Sequence, residues 1–78
     1  MGYVYQGAFQ DGTESGFIKA NSSIDAARKL MGRDDVRKSE PRNGKVFWDI
    51  IVWKYDENDT KHIISEQVYV VGRLNRTK

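Results

Sequence analysis

Lys45-Val46-Phe47-Trp48-Asp49-Ile50-Ile51-Val52-Trp53-Lys54-Tyr55 is the most apolar stretch of the chain, and it has no polar side. In an extended strand, Val46, Trp48, Ile50 and Val52 share one face, while Phe47, Ile51, Trp53 and Tyr55 share the other. A strand apolar on both faces is covered on both, so 45–55 reads as the central strand of a sheet. The turn formers Asp56-Glu57-Asn58-Asp59-Thr60 lead to a second run over 62–72. There Ile64, Val68 and Val70 oppose Ile63, Tyr69 and Val71. Upstream, Pro41-Arg42-Asn43-Gly44 fits either a type I turn with Gly44 left-handed or an Asn-Gly hairpin turn. Residues 36–40 supply at most a brief edge strand.

Towards the N-terminus, 3–9 is rich in strand formers and ends at Gln10-Asp11-Gly12, a hairpin signal. Residues 14–20 read as the returning strand in one of two registers. A two-residue turn sets Tyr5 opposite Ile18; a three-residue loop sets Val4 opposite Ile18 and Tyr5 opposite Phe17. The second is preferred, because it sorts Val4, Ala8, Ile18 and Ala20 from Tyr3, Tyr5, Phe9, Phe17 and Lys19. Ser22-Ser23-Ile24-Asp25 then reads as a capping box opening a helix of about ten residues, stopped by Gly32. Ile24, Ala27, Leu30 and Met31 form its apolar face, which packs on the sheet with Trp48 and Ile50.

The expectation is one α+β domain over 1–78. It has the order ββαββ, an antiparallel sheet of four or five strands, and one helix on one face. The segment 73–78, which carries Arg73, Arg76 and Lys78, reads as a flexible basic tail. One helix covers one sheet face only. The other face is expected to carry Phe47, Trp53, Tyr55 and Tyr69, joined by Tyr5 and Phe17; either the sheet curls to bury them, or a second chain or a ligand covers them.

The chain has 78 residues and no cysteine, which excludes disulfides and thiolate metal sites. A domain this short buries only about 60% of its unfolded surface, so its core is small. No stretch approaches a membrane span and no basic start leads into an apolar signal, so a cytoplasmic location is expected. Net charge is +2, but it lies in blocks. Residues 28–45 hold seven basic side chains (Arg28, Lys29, Arg33, Arg37, Lys38, Arg42, Lys45) against three acids, a net of +4. Residues 46–60 carry −3. The basic block is a candidate partner-binding segment, for a protein complex or for nucleic acid. A solvated helix face is the plainer reading of the same charges.

Catalytic and cofactor signatures do not emerge. His62 is the sole imidazole, so a histidine metal cluster is excluded and no His-based triad is marked. The acidic loop fails as a calcium loop, with Lys61 at the glycine position and Gln67 at the bidentate glutamate position. The glycines form no phosphate-binding loop. Neither catalytic residues nor cofactors are assigned.

The run from Phe17 through Asn21-Ser22-Ser23-Ile24-Asp25-Ala26-Ala27-Arg28-Lys29 to Leu30 gives a strand, a serine cap and an Ala-rich basic helix. With hairpin strands such as Trp53-Lys54-Tyr55-Asp56 after it, this layout resembles small phage-encoded inhibitors of the anti-CRISPR type. The resemblance implies a protein that docks on a nucleic-acid-handling complex and inhibits or modulates it, and it transfers no functional residue. Two other readings stay open. One is direct nucleic-acid binding through 28–45 and the aromatic face; the other is a structural homodimer.

Overall fold

The structure is a computed structural model that describes residues 2–72. It shows an antiparallel four-stranded sheet with one helix packed on one face. The elements are β1 (Tyr3–Phe9), α1 (Ser23–Met31), β2 (Val36–Lys38), β3 (Ile50–Asp56) and β4 (Ser65–Val71), in the spatial order β1-β3-β4-β2. As expected, β3 is central, and its partners fix which side chains share a face. Val52 pairs with Gly7 and Gln67, Ile50 with Phe9 and Tyr69, and Trp53 with Gln6 and Glu66. The tail reading of 73–78 lies outside the described residues.

The core forms between the helix and one sheet face. Ile50 and Val52 are fully buried against Ala26 and Ala27, with Tyr5, Val36 and Tyr69 around them. Ala26, Ala27 and Leu30 fall at helical spacing, so the facing stripe is centred on alanines, and Ile24 and Met31 pack at its margin. Alanines let the helix sit close to the sheet, and Gly7 completes that approach. A Cβ at Gly7 would lie 2.7 Å from Leu30 Cδ1 and 3.0 Å from Ile50 Cδ1. Trp48, expected in this core, instead lies half-buried in the connection before β3, outside the cluster.

Local signals act as the residues dictate. Ser22 Oγ accepts from the Asp25 N–H, and Asp25 reaches back to the Asn21 N–H, one residue beyond the usual capping-box target. At the other end, the N–H groups of Gly32 and Arg33 both donate to the Arg28 carbonyl. Asn43 (φ 53°) and Gly44 (φ 76°) are both left-handed, so the Asn-Gly hairpin turn forms and the type I alternative does not.

Three further expectations, about the strands and their faces, need correction. First, 14–20 is not a ladder strand; it touches β1 at two bridges, Ala8 with Glu14 and Tyr5 with Ile18. The first bridge belongs to the preferred register and the second to the rejected one, so one extra residue is accommodated between them as a bulge. Ser15 makes this possible. Its N–H donates to the Gly7 carbonyl while its Oγ accepts the Gly7 N–H at 2.8 Å, in place of a backbone oxygen. The face sorting therefore fails: Ile18 joins Tyr5 on the helix side, and Phe17 emerges on the opposite side beside Tyr55.

Second, the long strands are shorter than expected, because 45–49 and 62–64 belong to connections. Lys45 is held by Arg42 across the Asn-Gly turn, and Ser39 Oγ donates to the Phe47 carbonyl. Asp49 uses its carboxylate to accept the Val71 N–H at 2.9 Å, which ends the regular ladder there. Third, Tyr69 stands opposite Ile50, so Tyr69 and Tyr5 are core residues on the helix side and not members of the uncovered face.

Candidate functional site

The face away from the helix carries Val4, Gln6 and Ala8 from β1, with Ile51, Trp53 and Tyr55 from β3. Glu66, Val68 and Val70 come from β4, and Arg37 from β2. No secondary-structure element covers it among the described residues. One end is locked. Phe17 meets Tyr55 edge-on, with ring centroids 5.1 Å apart at 86°. The Tyr55 hydroxyl donates to Gln6 Oε1 at 3.0 Å, and Gln6 Nε2 donates to the Ser15 carbonyl at 3.1 Å. Tyr55 is thereby buried, and burial pushes its phenol above the ordinary value, with nearby Glu14 adding to the rise.

The rest of the face is open. Ile51, Trp53, Val68 and Val70 are half-buried, and Phe17 at the rim is 48% exposed. Charges flank this patch at both ends. Glu66 pairs in register with Trp53, and Glu14 lies near Tyr55; Arg37 stands opposite Val70 at the far end. Arg37 Nε also donates to the Gly72 carbonyl at 3.3 Å. Phe47, assigned to this face from the alternation of 45–55, projects instead from the connection before β3 and is 61% exposed, next to exposed Val46.

The seven basic residues do not gather into one surface. Arg28 and Lys29 lie on the exposed side of α1, Arg37 points to the open sheet face, and Lys38 points to the helix side of β2. Arg42 and Lys45 flank the Asn-Gly turn. Arg33 is held by Asp35 through two bonds of 2.7 Å, which keep its guanidinium charged above its ordinary range. Lys29 sits 3.7 Å from Asp25 and donates to the Lys19 carbonyl. Among the described residues, no ion pair engages Arg28, Lys38, Arg42 or Lys45. An open depression of about 420 Å³ at the end of α1 is lined by Arg28, Lys29 and Arg33 together with Asp25 and Asp34, so its charge is mixed.

Elsewhere, exposed His62 lies 3.2 Å from Asp59 at the acidic hairpin tip. The Asp56 carboxylate is turned inward to accept the Asn58 N–H at 2.8 Å. Among the described residues, no group of three metal-ligating side chains occurs, and no helix is long and apolar enough to cross a membrane.

Sequence reasoning placed Ile51 with Trp53 and Tyr55 but missed Glu14, Glu66, Val68 and Val70 as neighbours of the aromatics. The signal lay in the β3–β4 register, which pairs 53 with 66 and 51 with 68. Comparison with known proteins found no matching family model, no matching curated protein and no matching solved structure.

Proposed function

We propose that this chain is a non-catalytic interaction protein that docks through its open sheet face on a larger, nucleic-acid-handling protein complex in the cytoplasm. There it inhibits or modulates the complex, in the manner of the phage-encoded inhibitors whose layout it resembles. One observation carries the reading. A half-buried apolar centre of Ile51, Trp53, Val68 and Val70, uncovered by any element among the described residues, lies between acids at one end and Arg37 at the other. An apolar centre with charged margins of both signs is the anatomy of a protein contact.

The same geometry argues against bases stacking on this face. Glu66 beside Trp53 and Glu14 near Tyr55 repel phosphates at the two aromatics that such stacking would use, and Tyr55 is already packed by Phe17. Direct nucleic-acid binding stays the second reading, favoured by the unpaired Arg28, Lys38, Arg42 and Lys45. Those charges stand apart from the aromatics, so binding through them would be weak, blind to sequence and steeply dependent on salt.

A photo-crosslinking residue at Ile51, with one at exposed Lys29 as control, tests the proposal in cells of the native host. The expected adduct forms at 51 only, contains a defined protein subunit, survives nuclease and is lost with Trp53→Glu. A nuclease-sensitive adduct, or submicromolar binding to an oligonucleotide at physiological salt abolished by Arg37→Glu with Lys38→Glu, would promote the second reading. A self-adduct of twice the chain mass would instead favour the homodimer.

A further inference from the structure

The two edges of the sheet end differently. The outer edge of β1 is occupied by the chain itself. Tyr5 and Ile18 exchange two backbone hydrogen bonds of 2.8 Å, Ser15 serves Gly7, and the Phe9 N–H donates to the Thr13 carbonyl. The outer edge of β2 has no such cover. The Gly72 N–H donates to the Asp35 carbonyl and the Ser39 N–H to the Val68 carbonyl, so odd-numbered residues from 35 to 39 bond inward to β4. By antiparallel alternation, the N–H and C=O groups of Val36 and Lys38 point outward. Among the described residues, no hydrogen bond takes them up.

We propose that the outer edge of β2 receives an acidic, extended segment of a protein partner, which adds to the sheet as a fifth strand. The backbone offers two donors and two acceptors in a row, the requirement for strand addition. Charge selects the occupant. Residues 36–45 carry Arg37, Lys38, Arg42 and Lys45 against Glu40 alone, a net of +3, and Arg37 and Lys38 flank the edge on opposite faces. A second copy of β2 fits poorly, because antiparallel self-pairing through Val36 and Lys38 sets Arg37 directly opposite Arg37 of the other copy. The residues after Gly72 bring Arg73, Arg76 and Lys78 and no acid, so like charge also opposes this chain's own C-terminal segment. Basic side chains on an edge commonly serve to deter aggregation. Here the charge that deters a like strand favours an acidic one. The inference rests on the docking reading only in taking the partner to be a protein.

Amide hydrogen exchange on the full chain tests it, with a synthetic peptide of alternating valine and glutamate as probe. The controls are the same peptide N-methylated at alternate backbone nitrogens, and oligothymidylate of equal charge. The peptide is expected to slow exchange at Val36 and Lys38 by about tenfold or more, and neither control should do so. Arg37→Glu with Lys38→Glu should abolish the protection while the Ile50 amide, in the core, stays protected. Both substituted side chains are exposed, so the variant keeps its fold. Four results would overturn the proposal: no protection by the peptide, equal protection by the N-methylated peptide, equal protection by oligothymidylate, or protection that rises with protein concentration alone. None of these touches the open face, whose own failure shows in the crosslink at Ile51.

Discussion

Ile50 and Ile51 are neighbours in the chain and share the same side-chain chemistry, yet β3 presents them to opposite environments. Ile50 faces α1 and is fully buried; Ile51 faces away and is half-buried beside Trp53 and Val68. The helix side is closed by alanines, a glycine and two tyrosines at close approach. The other side is closed only at its Tyr55 end, by Phe17, Gln6 and Ser15. Apolar content alone therefore does not mark the core of so small a domain. What separates the faces is which of them the single helix covers, and the remaining apolar surface is available for association.

The largest effect is expected from comparing those two isoleucines directly. Ile50→Ala should cost about 2–5 kcal/mol, a large share of the roughly 5–10 kcal/mol of a domain this size. Ile51→Ala should cost less than about 1.5 kcal/mol, because its side chain already meets solvent. Urea unfolding of both variants measures the difference, and equal losses would mean that both faces are core. Next, Gly7→Val should destabilise by about 1–3 kcal/mol through overpacking against Leu30 and Ile50. Ala8→Val, on the open side of the same strand, should stay near neutral in thermal unfolding. A smaller loss, about 1 kcal/mol, is expected from Ser15→Ala, which leaves the part-buried Gly7 N–H without its acceptor. Faster amide exchange at Gly7 would report it locally.

The fourth prediction uses pH. Burial raises the phenols of Tyr5, Tyr55 and Tyr69 above the ordinary 10.0; for Tyr69 a hydrogen bond from Ser23 pulls the other way but does not prevail. The folded state thus holds these protons more tightly than the unfolded chain. Their contribution is complete below about pH 10 and is lost as pH rises through the raised folded values. Denaturation midpoints should fall with pH across that range, and Tyr69→Phe should make the decline shallower. An unchanged slope in that variant would mean its phenol is not shielded by the helix.

Much of this layout was legible because it rests on local chemistry. The apolar run ending at Tyr55 marked the central strand, Ser22 and Asp25 marked the helix start, and Asn43-Gly44 marked its turn. The faces were harder to read, because one residue of slip exchanges every side chain between them. Ser15 supplies such a slip by lending its hydroxyl to the Gly7 N–H, which no alternation pattern reveals. Asp49 similarly ends β3 with a carboxylate where its apolar neighbours argue for more strand. Tyr69 and Trp53 were grouped by their aromatic character, but the β3–β4 register separates them. For the candidate site, Trp53, Tyr55 and Phe17 were expected on the open side, where the strands put them, whereas Arg37 was expected only as part of the basic segment. Their acidic neighbours emerged only once the strands were paired.

The proposed role of the face around Ile51 and Trp53 is to meet a different protein, and neither to complete the fold nor to pair with a second copy. Sedimentation equilibrium at micromolar concentration tests it most directly, run on the native chain and on Trp53→Glu. The expected result is the mass of a single folded chain for both, with equal thermal stability to within about 1 kcal/mol. A native mass of two chains that Trp53→Glu reduces to one, or a Trp53→Glu chain that no longer folds, would contradict it.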